Sequence, residues 1–267
     1  MYKKSIVTFI DILGFKNIVN NSTAEEVNKI LDLVKQATKP NETSAHRAIV
    51  FSDCVIRVSD IEPNEPFIDH LFSELYALLH AQVELIDYGI LIRGGICYDN
   101  IHIYDDKVFG PGLVTAYELE SKFAIYPRII ISPVVIQELN NYLQAFVEKR
   151  EFEDPNAKII KDLLKQGDDG MWFLNYAEAI DGEFDEQEMY PLFLKRHHDV
   201  IVGKSVEFQA PKSANYKYLW LANYHNNIIT DINSEYFNDY EFDKSDLLIK
   251  SNKIPNLQEI QYHGISY

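Results

Sequence analysis

The stretch "SIVTFIDILGF" at residues 5–15 does most to restrict the fold. The run from Ser5 to Asp11 is rich in Ile, Val and Phe and has the length of a buried strand, yet it ends on a carboxylate followed at once by a glycine turn. Val27, Ile30, Leu31 and Val34 then recur at helical spacing behind a Ser22–Thr23 cap signal, so the strand leads into a helix. After the polar turn "KPNETSAH", the segment "HRAIVFSDCVIRVS" at 46–59 reads as two strands joined by a tight Ser52–Asp53 turn. A long amphipathic helix follows, its stripe marked by Phe67, Ile68, Leu71, Phe72, Leu75, Leu78, Leu79, Val83 and Ile86, and it ends near Gly89. Next come a strand at 90–97, a second around "IHIY", a Gly-Pro-Gly break at 110–112, a helix over "LVTAYELESKFA" and a strand over "RIIIS".

The order β-α-β-β-α-β-(β)-α-β predicts an α+β fold, a ferredoxin-like or palm-type sheet with helices on one face. From about 133 the periodicity is helical again through "PVVIQELNNYLQAFVEK", "MWFLNY" at 171–176 suggests a further strand, and the tail "NYKYLWLANYHNNII" suggests an aromatic-rich helix. Without a repeat, low-complexity tract or flexible linker, residues 1–207 read as one domain and 208–267 as its C-terminal elaboration.

Composition narrows the function classes. The chain of 267 residues carries a formal net charge of −16 and no Lys/Arg-rich block, so nucleic-acid binding is not expected. Cys54 and Cys97 lack both the CxxC spacing of a zinc site and the density of a disulfide scaffold, which points to a reducing compartment. With no signal peptide and no apolar run near the length of a span, the expectation is a soluble cytoplasmic protein without membrane insertion.

In such a sheet the first strand lies beside the hairpin, so Asp11 at its end and Asp53 at the hairpin tip come close in space. Two adjacent carboxylates are costly unless a cation neutralises them, and hard oxygen ligands in a cleft suit Mg²⁺ or Mn²⁺ gripping a phosphate-bearing substrate. The plainer alternative is that Asp11 caps the following helix and Asp53 makes a turn. The "ILGF" turn after Asp11 would point backbone N–H groups outward where a polyphosphate could lie.

"FIDILGF" at 9–15 resembles the F-x-D-[IV]-x-G-F signature of class III nucleotidyl cyclases, and "FSDCVIRVS" is similar to their second metal hairpin. "RGGICYDNIHIYDDKVFGPGLVTAYELES" is similar to the strand, hairpin and helix that follow in those domains. Within the superfamily, "DILGF", "FSD", "RGGI", "FGPGLVTAYELES" and "YPRIIIS" most resemble the bacterial pyrimidine cyclases of the Pycsar antiphage defence system, over about residues 5–132. The resemblance implies conversion of UTP or CTP to a 3′,5′-cyclic monophosphate and pyrophosphate on phage infection, the product activating a separate effector. It implies two Mg²⁺ or Mn²⁺ ions held by Asp11, Asp53 and the Ile12 carbonyl, and a triphosphate cradled by backbone N–H groups near Leu13, Gly14 and Phe15. It also implies a head-to-tail homodimer, with residues of both chains at each site.

Where adenine-specific relatives carry a lysine four residues before the second aspartate, this chain has Ile49. Strand alternation puts Arg47, Ile49, Phe51 and Asp53 on one face, so Arg47 could reach a carbonyl-bearing pyrimidine; pairing with a surface carboxylate is the other reading. A guanine substrate stays open. The Asn and Arg with which many class III cyclases stabilise the transition state align with Val114 and Glu118, and neither replacement is a cationic donor. Arg93, Lys122 and Arg128 are the nearest other cations, each equally able to serve a structural ion pair. The departure keeps a noncatalytic nucleotide-binding or dimerisation module in play. His197, His198 and Asp199, read as lying on a strand, are not expected to converge on a metal, and Asp168–Asp169 reads as a turn. Gly94 and Gly95 sit within a strand, where substrate or partner backbone could approach.

Overall fold

The computed structural model describes residues 2–40, 46–104, 107–149, 154–207, 212–240, 242–250 and 254. The polar turn at 41–45 and the start of the tail at 208–211 lie outside the described residues. The chain divides into two compact units, residues 1–85 with 90–175, and residues 86–89 with 176–267. Residues 176–207, read above with the sheet domain, therefore group with the tail.

The first unit runs β1 (Lys3–Ile12), α1 (Phe15–Asn21), α2 (Ala24–Ala37), β2 (His46–Phe51), β3 (Cys54–Asp60), α3 (Phe67–Asp87), β4 (Ile92–Tyr104), β5 (Lys107–Phe109) and α4 (Pro111–Glu118). A π-helical turn (Leu119–Phe123) extends α4, followed by β6 (Ile129–Ile131), α5 (Pro133–Lys149), α6 (Pro155–Leu163), β7 (Leu164–Gln166) and β8 (Trp172–Leu174). The sheet order is β2-β3-β1-β4-β6-β8-β7, with β5 paired to β4. β1 is antiparallel to both β3 and β4, and β4 is parallel to β6. The segment β2-β3-β1-β4 is the ferredoxin-like arrangement, so the α+β architecture and the first strand's place beside the hairpin are as the sequence predicts.

Residues Ser5 to Ile10 of β1 are buried on both faces, the mark of a central strand. Helix α2 starts at a capping box in which the Thr23 side chain accepts from the Glu26 N–H and Glu26 accepts from the Thr23 N–H. The core is tied by a buried polar network. Arg57 on β3 makes a fork-to-fork pair with Glu74 on α3, both bonds at 2.9 Å, and Thr8 on β1 donates to Glu74 at 2.7 Å. Arg57 also donates to the Thr38 carbonyl at the end of α2.

Two details of the sheet differ from what the sequence predicts. The strands expected at 90–97 and around "IHIY" are one strand, β4, because β1 pairs with it without interruption from Ile92 to Ile101. The β7–β8 hairpin brings in a strand, Leu164–Gln166, that was not anticipated, being only one turn of alternation long. At its turn Asp169 accepts from the Met171 N–H and pairs with the fully buried Arg128, so this aspartate has a structural ion-pair role beyond the turn.

The second unit is helical in its described part: α7 (Tyr176–Ala179) with a 3₁₀ turn (Ile180–Glu183), α8 (Met189–Glu207), α9 (Lys212–Asp231), α10 (Ser234–Asn238) and α11 (Lys244–Leu247). The segment "LKRHHDV" lies in α8 and not on a strand. Tyr190, Phe193, Leu194, His197 and Ile201 are buried at helical spacing. Of the tail aromatics, Tyr218 and Tyr224 are core, buried with Leu219, Leu221, Ile228 and Ile229 on α9, whereas Tyr216 is exposed. No helix among the described residues is long and apolar enough to cross a membrane.

A one-way hydrogen-bond chain threads this unit. The Leu247 carbonyl can only accept, so His225 Nε2 carries a proton and donates to it at 2.8 Å. Full burial keeps both imidazoles neutral near pH 7, so His225 Nδ1 accepts, at 3.0 Å, from His197 Nδ1, and His197 Nε2 accepts from the Tyr176 hydroxyl at 2.8 Å. All four ring nitrogens are used. Burial and neighbouring histidines hold His197 well below the ordinary value, and burial with His198 lowers His225 to about 4. In the unfolded chain both take up protons near pH 6.5, whereas the folded unit does so only near or below pH 4. Stability is therefore full above about pH 7 and falls as pH drops through 6.5 towards 4. We expect a loss of about 3 kcal/mol at pH 4 from His225 alone, at 1.36 kcal/mol per pKa unit. Chemical unfolding followed across pH 4–7 checks this, and an unfolding midpoint flat between 6.5 and 4.5 contradicts it.

Candidate metal centre

Asp11 is the penultimate residue of β1, and the register sets it opposite Cys54 on one side and Arg93 on the other. The β2–β3 turn is tight enough that Ser52 takes a positive φ of 54°, and it delivers Asp53 to the same place. One ligand atom from each of Asp11, Asp53 and Cys54 can be chosen so that all three lie within 4.8 Å of one another. The two aspartates expected to meet do meet, each half-buried.

Burial pushes the Asp11 carboxyl above its ordinary value, Arg93 pulls it down, and Asp53 beside it pushes it up again, with a net upward result. Burial and the two aspartates push the Cys54 thiol up to about 12, so it is a protonated, weak donor near neutrality. The effective donor set is the carboxylate pair, which calls for a positive counter-charge. That chemistry fits a hard divalent cation such as Mg²⁺ or Mn²⁺. Among the described residues this is the one group of three or more His, Cys, Asp or Glu side chains close enough to hold a metal; His197, His198 and Asp199 do not form one.

Arg93 supplies part of the counter-charge. Its Nε and Nη2 donate to Asp11 Oδ2 at 3.1 and 3.0 Å, Nη2 lies 2.6 Å from Glu120 Oε1, and Nη1 reaches the Ala124 carbonyl at 3.4 Å. Of the three cations considered from the sequence, it is the one paired with the site's carboxylates. Lys122 pairs with Glu118 on the surface at 2.6 Å, and Arg128 with Asp169. Glu120 is not marked by the sequence, since nothing in "ELESKF" distinguishes which of Glu118 and Glu120 turns inward.

The remaining expected site residues are less uniformly placed. The Leu13 N–H donates to the Leu91 carbonyl at 2.8 Å, so it is committed within the protein and is a correction to the expected phosphate cradle. Gly14 adopts a left-handed conformation, φ 79°, at the exposed start of α1, with Phe15 the first helical residue. The Ile12 side chain is buried and Ile12 pairs with Ile92 across the sheet. Arg47 lies 3.5 Å from Asp60, towards the open end of the hairpin, so it has the ion-pair role the sequence left open, although the carboxylate it meets is buried and not on the surface; Ile49 is half-buried opposite Ile56.

Gly94 and Gly95 serve close approach within the chain. A Cβ on Gly94 would stand 2.5 Å from the Phe9 carbonyl oxygen, and one on Gly95 2.4 Å from Leu119 Cβ and 2.7 Å from the Ala116 carbonyl oxygen. Both obstacles at Gly95 are fixed atoms. Gly95→Ala is expected to cost about 1–3 kcal/mol through displacement of the α4 end; an unchanged thermal midpoint would show the packing to be looser than described.

No protein-family model matches the chain. No curated protein matches it either. Solved structures similar to it include the adenylyl cyclase CyaB from P. aeruginosa, 20% identical over 53% of this chain and 82% of that one, with a TM-score of 0.42. The guanylyl cyclase Cya2 is 15% identical over 52% of this chain and 79% of that one, TM-score 0.40. The monomeric guanylyl cyclase domain of the RhoGC fusion protein from the aquatic fungus Blastocladiella emersonii is 17% identical over 65% of this chain and 95% of that one, TM-score 0.39. These likenesses are partial.

Proposed function

We propose that this chain is a divalent-metal-dependent pyrimidine nucleotide cyclase that converts UTP, with CTP as the alternative substrate, to the 3′,5′-cyclic monophosphate and pyrophosphate. The observation that carries the reading is the meeting of Asp11 and Asp53, from the two cyclase-like motifs "FIDILGF" and "FSD", at adjoining ends of the sheet. Two Mg²⁺ or Mn²⁺ ions, held by the two carboxylates with the Ile12 carbonyl as a further ligand, would acidify the ribose 3′-hydroxyl and offset triphosphate charge. Asp11 and Asp53 bring that charge to one point at the ends of adjoining strands. Gly14 and Phe15 lie beside it, where the chain turns into α1, and would orient the triphosphate. In the reaction the 3′-oxygen forms a bond to the α-phosphorus, the bond from α-phosphorus to the β-bridging oxygen breaks, pyrophosphate leaves, and the hydroxyl proton passes to solvent. The protein's contribution is chiefly positioning and charge compensation.

Ile49 in place of the lysine of adenine-specific relatives counts against adenine, and Arg47 would address a pyrimidine edge only by leaving Asp60. The product would act as an antiphage second messenger on a separate effector in the cytoplasm, and the active form would be a head-to-tail homodimer. A second reading, a nucleotide-binding or dimerisation module without turnover, is favoured by one observation: Val114 is exposed and apolar, and Glu118 is paired with Lys122. Incubating the purified protein with each of the four NTPs and Mn²⁺, and separating products by mass, tests both. Cyclic UMP as the main product is the expected result; cyclic AMP or cyclic GMP would overturn the base assignment, and nucleotide binding without any cyclic product would favour the module.

A further inference from the structure

The arrangement around Arg93 goes beyond the carboxylate pair itself. Absence of a side chain at Gly95 lets the end of α4 settle onto β4, with the Glu120 amide nitrogen only 3.2 Å from where a Cβ would be. There the helix widens into the π-helical turn Leu119–Phe123, closed by the Ala124 N–H bonding the Leu119 carbonyl, and such turns recur at functional sites. The result is an acidic side chain, Glu120, only 4% exposed, facing the strand residue that faces Asp11. One guanidinium nitrogen, Arg93 Nη2, is shared between Asp11 and Glu120. Arg93 is thus a resident cation on the carboxylate that a metal ion would need, and Glu120 is the group that can keep it when Asp11 is taken.

We propose that Glu120 is a positioning residue that acts through Arg93: it draws the guanidinium aside from Asp11 and so sets the affinity of the Asp11–Asp53 pair for a divalent cation. The proposal rests on the reading of that pair as metal ligands. Without Arg93, Asp11 loses its competing cation, so Arg93→Met should bind Mn²⁺ about tenfold more tightly or better, given the strength of a unit charge a few ångströms away. Without the Glu120 charge, Arg93 falls back on Asp11 alone, so Glu120→Gln should bind Mn²⁺ several-fold more weakly.

The two-residue cycle separates positioning from simple electrostatics. Mn²⁺ affinity is measured by the electron paramagnetic resonance signal of the free ion for the wild type, the two single variants and the double variant. If Glu120 acts through Arg93, Glu120→Gln changes affinity in the wild-type background and leaves it within twofold in the Arg93→Met background. An equal effect of Glu120→Gln in both backgrounds, or an Arg93→Met variant that binds no better than wild type, overturns the inference while the metal-site reading stands. Wild-type protein that binds no Mn²⁺ overturns both. A measurement on the unaltered chain guards against misfolded variants: the Arg93 Nε–H resonance should move on saturation with Mg²⁺ as its bond to Asp11 is exchanged, and a resonance that stays fixed while Mg²⁺ binds counts against the proposal.

Discussion

Asp53→Asn is expected to lower cyclic-nucleotide formation at least about a hundredfold, the scale at which preorganised electrostatic groups act, while leaving the fold intact. The substitution is nearly isosteric, sits in a half-exposed turn and removes one of two negative charges that the site holds together. Relief of repulsion with Asp11 should if anything raise the thermal midpoint slightly, because the like-charge contact is one of the causes raising the Asp11 carboxyl. Loss of activity with equal or higher stability is the signature of a functional group held at some cost. An Asp53→Asn protein that retains activity within a few-fold would mean that Asp53 is only a turn residue.

Glu74→Ala is expected to be the most damaging single substitution in the first unit, and for a reason unrelated to catalysis. It leaves Arg57, 2% exposed, as a buried charge without its fork partner and deprives Thr8 of its acceptor. Breaking a buried pair from one side typically costs about 3–5 kcal/mol, which at about 2–4 °C per kcal/mol for a unit of this size lowers the melting temperature by roughly 6–20 °C. Replacing both partners with apolar residues of similar volume, as in Arg57→Met with Glu74→Leu, should recover much of that loss, since the pair's desolvation cost goes with it. Calorimetry on the three variants checks the pattern, and a double variant as unstable as Glu74→Ala would indicate that the network contributes net stability of its own.

The convergence of Asp11 and Asp53 was legible because each follows from a local pattern: an apolar strand stopped by a carboxylate, and two strands separated by a two-residue turn. The α+β order needed only those patterns and the stripe of α3. What the sequence could not reveal is register and helix phase. Arg93 reaches Asp11 because β1 and β4 pair those two residues, and Glu120 points inward because the helix widens at Leu119; neither leaves a trace in spacing. The helical nature of Met189–Glu207 was hidden for a different reason, since Lys195, Arg196 and two adjacent histidines interrupt its apolar stripe. His197 is a core residue there, satisfied by Tyr176 and His225. Leu13 illustrates a further limit, because a backbone N–H that looks available in a turn is claimed by Leu91 across the chain.

Cyclisation of a pyrimidine nucleoside triphosphate at the Asp11–Asp53 pair is the proposed activity. It is tested most directly by incubating UTP with the purified chain and Mn²⁺, identifying the nucleotide product by mass and quantifying pyrophosphate. The expected result is 3′,5′-cyclic UMP with an equal amount of pyrophosphate, both absent with Asp53→Asn. Folded, Mn²⁺-bound protein that leaves UTP unchanged, or releases UDP or linear UMP instead, would contradict it.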